Sequence, residues 1–387
     1  MSRETAPALL GAAAGKDGTW FAERQVQEPI MGLTLYKRTA TKRDRWVSID
    51  LGGRTTKAVE LHRNGKGLVL SSFVLLDAPI YQKGLSPDLL AEHLKNVIHV
   101  LGTGRRSVIL SVGVSESLVR HADLPGLPMA DLRLVLKNNS KNYLQQDLPG
   151  HVFDCTFIAP ASKGQSPEGG KPGAAGAKHR VLVAGARTQL LEDIQAAVKS
   201  AGLVADEIVP GLIGPVNAFE MAMPEVFSGE VVALVDIGFK NTSICLLQQG
   251  QLVMSRVVAI GGDKLTCGVA EALGIGYAEA DGIKVGMPTE VHALLESLLL
   301  PLGRELRASL DFFEHQQDKP VARVFFTGAS ARSEFVVRTL QTELLVECKP
   351  WNPVSFLRPE LPAKQAAELD QAGPQLTVAI GAAIPSL

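Results

Sequence analysis

An Asp-x-Gly-x-(Arg/Lys)-x-Thr pattern stands twice in this chain with the same internal spacing. The first copy is Asp50, Gly52, Arg54 and Thr56; the second is Asp236, Gly238, Lys240 and Thr242. Each copy follows an apolar run, Trp46 to Ile49 and Val231 to Val235, and leads into another, Lys57 to Leu61 and Ser243 to Leu247. Each therefore reads as strand, tight turn, strand. One such turn alone is an ordinary hairpin. Here the copies run on in parallel: Arg63-Asn64-Gly65 and Gln248-Gln249-Gly250 turn the chain, and Leu68 to Leu75 and Leu252 to Val258 bring it back. A repeated three-stranded unit implies two homologous halves of a duplicated α/β fold.

The turns carry the chemistry. Glycine lets backbone N–H groups approach an anion, a threonine hydroxyl adds a donor, and an aspartate at a strand end can hold a hydrated divalent cation. Two such turns facing each other would clamp a nucleoside polyphosphate. The candidate phosphate-binding residues are Gly52, Gly53, Arg54, Thr55, Thr56 and Lys57 on the first turn and Gly238, Lys240, Asn241 and Thr242 on the second; Asp50 and Asp236 are the candidate metal ligands.

With 387 residues, 46% of them apolar and 20% charged, the chain can bury a large core. A formal net charge of -1 gives no polyanion-binding signal, and with Trp20, Trp46 and Trp351 the only tryptophans there is no stacking platform, so nucleic acid is not expected. No apolar run reaches the roughly 20 residues that span a bilayer, and the N-terminus lacks the shape of a secretory signal, so a cytoplasmic location is expected. Cys155, Cys245, Cys267 and Cys348 are scattered and read as buried thiols, and the eight histidines form no ligand spacing.

Residues 1–44 show no sustained period and read as a partly ordered arm. Within them Gly11 to Lys16 superficially suggests a phosphate loop, but it is one residue short of G-x-x-x-x-G-K and continues into Asp17, so the match is rejected. The first half spans 45–230 and carries an inserted module of its own pattern, about Ser117 to Asp206. In it Val119 to Leu124 reads as a strand, Leu127 to Leu148 as a helix, Val152 to Ile158 and Arg180 to Ala184 as strands, and Leu190 to Ala201 as a helix. A Gly- and Pro-rich stretch from Pro160 to His179 reads as a disordered loop inside it. The second half spans 231–387. After Gly261-Gly262 it predicts helices from Asp263 to Leu273 and Tyr277 to Val285, then a long one with Val291, Leu294, Leu295, Leu298, Leu299, Leu302, Leu306, Leu310 and Phe313 on one core-facing side, which Pro301 should kink or break near Leu299. Val324 to Thr327 is a short strand running into Gly328-Ala329-Ser330, and a helix near Leu376 to Ile384 closes the chain.

From about Arg45 onward the chain resembles the PilM-type type IV pilus assembly proteins, of the actin-like, ribonuclease H-like fold related to FtsA. The resemblance rests on Val47 to Leu61, on Leu234 to Gly238 with Thr242, most specifically on Ser255-Arg256 to Ile260-Gly261-Gly262-Asp263-Lys264-Leu265-Thr266, on Ala280-Asp281 with Lys284, and on Ser309 to Phe313. It implies a cytoplasmic scaffold that binds ATP with Mg2+, with weak or no hydrolysis. Asp281 and Lys284 would approach the ribose and base, Gly262 would belong to the same nucleotide site, and Gly328, Ala329 and Ser330 would form the adenosine turn. Asp281 replaces the family's usual glutamate, and Gly328-Ala329-Ser330 replaces a glycine triplet, which restricts how closely backbone and nucleotide approach. Arg54 and Thr55 stand where small residues are usual. The resemblance also implies capture of the cytoplasmic N-terminal peptide of a PilN-type inner-membrane protein, between the first subdomain and the inserted module, so that the membrane is reached only through the partner. Self-association, as in other actin relatives, is a further possibility. Two alternatives stay open: a nucleotide-free relative like the cytoplasmic domain of GspL, and a phosphotransferase of the same fold. The second needs a carboxylate base aimed at a substrate hydroxyl. Asp50 and Asp236 are taken by the phosphate turns, and the insertion occupies the place of a substrate domain.

Overall fold

The apolar runs that flank the two turns become the central strands of two sheets. The computed structural model describes residues 32–38, 43–65, 67–81, 84–158 and 178–387. The rejected phosphate-loop match, most of the proposed arm and nearly all of the Gly- and Pro-rich stretch lie outside these residues.

After a short edge strand, β1 (Tyr36–Lys37), the first repeat is a meander of β2 (Arg45–Leu51), β3 (Thr55–Asn64) and β4 (Gly67–Asp77). Helix α1 (Pro87–Leu101) crosses back so that β5 (Ser107–Val112) lies parallel to β2. The inserted part follows as β6 (Ser117–Pro125), α2 (Met129–Leu144), β7 (His151–Phe157) and β8 (Lys178–Arg187), and α3 (Thr188–Ser200) then leads to β9 (Val204–Pro210), parallel to β5. Two short helices, α4 (Gly214–Ala222) and α5 (Pro224–Gly229), bridge to the second repeat. Its meander is β10 (Val231–Ile237), β11 (Thr242–Gln248) and β12 (Gln251–Val258), followed by α6 (Gly262–Leu273), α7 (Tyr277–Gly286) and α8 (His292–Gln317). Strand β13 (Arg323–Thr327) lies parallel to β10, and α9 (Glu334–Leu344) leads to β14 (Glu347–Pro350), parallel to β13. The chain ends with β15 (Leu357–Pro359) and α10 (Ala363–Ala383).

The sheets run β1-β9-β5-β2-β3-β4-β15 and β12-β11-β10-β13-β14. Without its outer strands the first has the order of the second, three antiparallel strands followed by two parallel ones. Registers repeat as well: Asp50 pairs across to Lys57 and lies beside Ser111, while Asp236 pairs with Ser243 and lies beside Thr327. This is the duplicated actin-like arrangement, and the repeat in the sequence is its direct trace.

Burial follows the two-residue period of strands. On the second sheet Val232, Leu234, Cys245, Leu247 and Phe325 join the core shared with the first half. Ala233, Val235, Ile237, Ile244, Leu246, Val324 and Phe326 face the opposite way, against the apolar stripe of α8 and α9. A sheet buried on both faces is what central strands without polar alternation require.

Three findings adjust the sequence reading. The inserted three-stranded sheet, ordered β6-β8-β7, has its own core around Leu124, Leu132, Leu136 and Val183, whereas Leu191, Ile194 and Val198 of α3 pack with Leu90, Leu94 and Val97 of α1 in the main core. The self-contained module thus ends near Arg187, short of Asp206. The C-terminal part of the second half returns to the first: β15 pairs with β4, and α10 lies against β2, β3 and β5. It crosses α4 so closely that a Cβ on Gly381 would overlap the Gly214 carbonyl. Finally, α8 runs through Pro301 as one helix, without the expected break. Among the described residues no helix is long and apolar enough to cross a membrane.

Candidate functional site

The carboxyl-terminal ends of β2 and β10 carry Asp50 and Asp236, and the turns that follow face each other across a cleft of about 670 Å³. That volume suits a nucleotide-sized ligand. Asp50, Gly52, Gly53, Arg54, Thr55 and Lys57 line it from the first half. From the second half come Asp236, Gly238, Lys240 and Asn241, then Gly262, Asp281 and Lys284, and Gly328, Ala329 and Ser330.

Thr56 and Thr242 are absent from the lining. Thr56 is 1% exposed, with its hydroxyl 2.8 Å from His93 Nε2, and Thr242, fully buried, donates to the Ile260 carbonyl at 2.7 Å. Strand alternation explains this: when Thr55 and Lys57 face the cleft, Thr56 must face away, and the same holds for Thr242 beside Ser243. Both threonines tie the turns to the body of the protein.

The cleft floor concentrates charge. Lys57 Nζ lies 2.9 Å from Asp50 Oδ2, so the first aspartate is already paired, with the Ser111 hydroxyl 3.5 Å from its other oxygen. Its counterpart has no such partner among the described residues, because Ser243 stands where the first half has Lys57. Burial pushes the Asp236 carboxyl up to about 6, the Lys57 ammonium opposing the shift and the Asp50 carboxylate adding to it. A half-buried carboxylate with unneutralised charge fits a hydrated cation. Asp50 fits one less directly, since the Lys57 ammonium is already on it. Among the described residues no cluster of three or more His, Cys, Asp or Glu side chains is placed to hold a metal, so a cation here would take most of its oxygens from water and ligand.

Glycines shape the cradle. Gly328, with φ of 91°, sits where an added Cβ would come within 2.5 Å of Asp236 Oδ1 and of the Ile237 carbonyl, so no other residue fits there. A Cβ on Gly52 would strike the Thr55 carbonyl and Lys57 Nζ, while Gly53 has open space before it. A Cβ on Gly262 would lie 3.1 Å from Ser330 Oγ.

A polar network closes one side of the cleft. Arg54 reaches from the first half to Asp281 Oδ2 at 2.9 Å and to the Tyr277 hydroxyl at 3.3 Å, with its guanidinium 5.4 Å from the centre of the Phe239 ring. Tyr277 donates to Asp263 at 2.7 Å. Asp281 Oδ1 is 2.8 Å from Lys284 Nζ and 3.0 Å from the Thr266 hydroxyl. Burial works against the charged form of Asp281, but Lys284, Thr266 and Arg54 outweigh it and hold the carboxyl below its ordinary range.

Sequence reasoning missed Gly113-Val114-Ser115, which follows β5 and lines the cleft as Gly328-Ala329-Ser330 does after β13. The signal was present as a second Gly-x-Ser after the equivalent strand. It also missed Tyr277, which meets Arg54 and carries no motif of its own, and gave no site role to Thr266, the last residue of the Ile260 to Thr266 stretch, whose hydroxyl donates to Asp281.

The model of a protein family described as type IV pilus assembly protein PilM matches residues 48–387. The chain belongs to the PilM family. Among solved structures this PilM-family chain is similar to a PilM-PilN type IV pilus biogenesis complex, at 22% identity and a TM-score of 0.75 over 88% of this chain and 98% of that one. It is also similar to the ethanolamine utilization protein EutJ from Carboxydothermus hydrogenoformans, at 15% identity and a TM-score of 0.50 over 89% of this chain and 90% of that one. Cell division protein FtsA of Bacillus subtilis (strain 168) is 31% identical over 103 residues, 27% of this chain. That match spans about a fifth of the FtsA chain (22%). Membership in the PilM family and the duplicated fold agree with the resemblance read from the two turns and the stretches that follow them.

Proposed function

We propose that the chain is a nucleotide-binding scaffold of a type IV pilus assembly platform, cytoplasmic and joined to the inner membrane through a partner. The observation that carries this reading is the pair of equivalent turns across one cleft, with Lys57 on one side and the undercompensated Asp236 on the other. ATP is the ligand proposed, and Mg2+ the cation it would bring. Gly52, Gly53, Thr55 and Lys57 would take the phosphates from one half and Gly238, Lys240 and Asn241 from the other. Backbone N–H groups and an ammonium suit anionic oxygens. Asp236, and Asp50 through its own hydration shell, would orient the cation. Gly262, Asp281 and Lys284 would meet the ribose, and Gly328, Ala329 and Ser330 the base. When bound, the cation would offset phosphate charge; the chain's own residues bind, orient and close.

The partner proposed is the cytoplasmic N-terminal peptide of a PilN-type membrane protein, received between the first subdomain and the module. Similarity to a structure of a PilM-PilN complex supports it. A nucleotide-free scaffold is the second reading, favoured by one observation: Arg54 already satisfies Asp281, the side chain proposed for the ribose.

Calorimetric titration of ATP with Mg2+ into the parent, Asp50→Ala and Asp236→Ala separates the two readings. Binding by the parent and its loss in both variants is expected. No binding by the parent would favour the nucleotide-free scaffold, and unchanged affinity in both variants would place the ligand elsewhere.

A further inference from the structure

A short stretch of the chain's own N-terminal region lies between the first sheet and the module. Leu33 and Leu35 are 1% and 4% exposed in the main core. The N–H groups of Leu35 and Arg38 donate to the Ile208 and Asp206 carbonyls of β9, both at 2.8 Å. Between them the Thr34 N–H donates at 2.8 Å to Asp154 Oδ2 on β7, a carboxylate whose other oxygen Arg133 holds from α2. One strand is thus gripped on one side by the sheet and on the other by the module.

Charge completes the grip. Asp206 and Glu207 of β9 are 7% and 4% exposed. Among the described residues they form three ion pairs: this stretch supplies Lys37 to Glu207 at 2.9 Å and Arg38 to Asp206 at 3.3 Å, and Arg43, just before β2, supplies a further one to Asp206. Carboxylates at that depth cost free energy unless they are paired. The fastening is slight at the basic end of the occupant: β1 has two residues, it lies at the sheet edge, and the Lys37 and Arg38 side chains are 60% and 44% exposed.

We propose that this groove accepts an extended strand with apolar residues at alternate positions followed by two basic residues. The stretch Gly32 to Arg38 is its resident in cis, displaced when a partner peptide of that chemistry arrives. Main-chain bonds supply affinity and the alternate pockets with the acidic pair supply selectivity, as in strand addition to a sheet edge. The inference rests on the peptide-binding reading above and adds to it a built-in competitor.

The test uses the full chain and a fluorescein-labelled peptide with the sequence of Gly32 to Arg38. In the double variant Leu33→Ser/Leu35→Ser the resident is loosened, and the peptide is expected to bind about tenfold more tightly than to the parent. The same peptide carrying Lys37→Glu and Arg38→Glu is expected not to bind. Equal binding to the parent and to a folded double variant overturns the proposal, as does equal binding of the two peptides. Hydrogen exchange on the parent decides the matter even if the variant does not fold. The Leu35 and Arg38 amides are expected to exchange about 100-fold faster than those inside β9, and exchange at the β9 rate would mark a permanent strand. Excess PilN-type peptide should speed Leu35 exchange further. A bound peptide that leaves Leu35 unchanged overturns the competition. A peptide that binds neither chain removes the partner reading, while the groove is still judged by its own sequence.

Discussion

Asp236 sits in a structure that makes its charge unwelcome, and the sign of that effect is testable. Its carboxyl takes up a proton near pH 6 in the folded chain, against an ordinary value of 3.8. Between those values the native state binds more protons than the unfolded one, so the stability this residue contributes is present below about pH 4 and lost as pH rises through about 6. Asp236→Asn should therefore stabilise the metal-free protein at pH 7.5 by about 1–3 kcal/mol and change little at pH 4, as read by urea unfolding at both values. A variant less stable at pH 7.5 would show that the negative charge is needed for the fold. Arg54 makes the complementary case. Its bridge to Asp281 is partly exposed and contributes about 0.2–1 kcal/mol, so Arg54→Ala should leave unfolding nearly unchanged. If the bridge obstructs entry to the cleft, the variant should speed association of a fluorescent ATP analogue several-fold in stopped flow; an unchanged rate would remove Arg54 from that role. The two turns were legible at this scale because their residues repeat in register. The threonines were misassigned because a motif gives spacing but not the face to which each side chain points. Asp281 was legible, but its engagement by Arg54 was not, since the two lie 227 positions apart in the chain.

At the scale of elements, periodicity identified the strands of both meanders and the long helix, and of the kink or break expected at Pro301 the break does not occur, because tertiary packing overrides the local rule. Pro301 lacks an N–H and crowds the preceding turn, which argues for a break in α8. Yet Leu295, Leu299, Leu302, Leu306, Leu310 and Phe313 on one face are all buried, and their burial exceeds the cost of one lost hydrogen bond. Pro301 itself is exposed on the opposite side. Pro301→Ala should restore the bond and stabilise the protein by about 1–3 kcal/mol, seen as a higher melting temperature. A lower one would mean that proline's restriction of the unfolded chain outweighs its strain in the helix. The destination of α10 was beyond reach for a different reason. Its apolar residues announce a buried helix, but nothing local says that it crosses α4 and covers the other half's sheet. Likewise α3 reads as the last helix of the insertion because it follows β8 in sequence, and only its contacts with α1 assign it to the main core.

At the scale of the whole molecule, two equivalent sheets share one cleft, and the module bridges them. It holds the Thr34 backbone beside the first sheet through Asp154. It also reaches the edge strand of the second sheet, where His121 Nε2 lies 2.8 Å from the Leu252 carbonyl and Ser255 donates to the Val119 carbonyl at 3.2 Å. Its separate core and the close approach of its two ends, Ser117 pairing with Ala186, make it removable as a unit. We expect that replacing Ser117 to Arg187 by a short Gly-Ser link leaves both sheets folded and nucleotide binding, where the parent has it, within about threefold, because none of the residues proposed for phosphate or cation lies in that span. Binding of a PilN-type peptide should be abolished. Removing Ser117 to Asp206 should instead unfold the first half, since it takes α3 and the start of β9 as well. Circular dichroism and urea unfolding of the two deletions, followed by calorimetry with ATP and with peptide on the one that folds, make the comparison. The shorter deletion also uncovers the β12 edge, so it should be checked by gel filtration for self-association through that strand. Peptide binding that survives in a folded, monomeric deletion would move the partner's site away from the module and on to the first sheet alone.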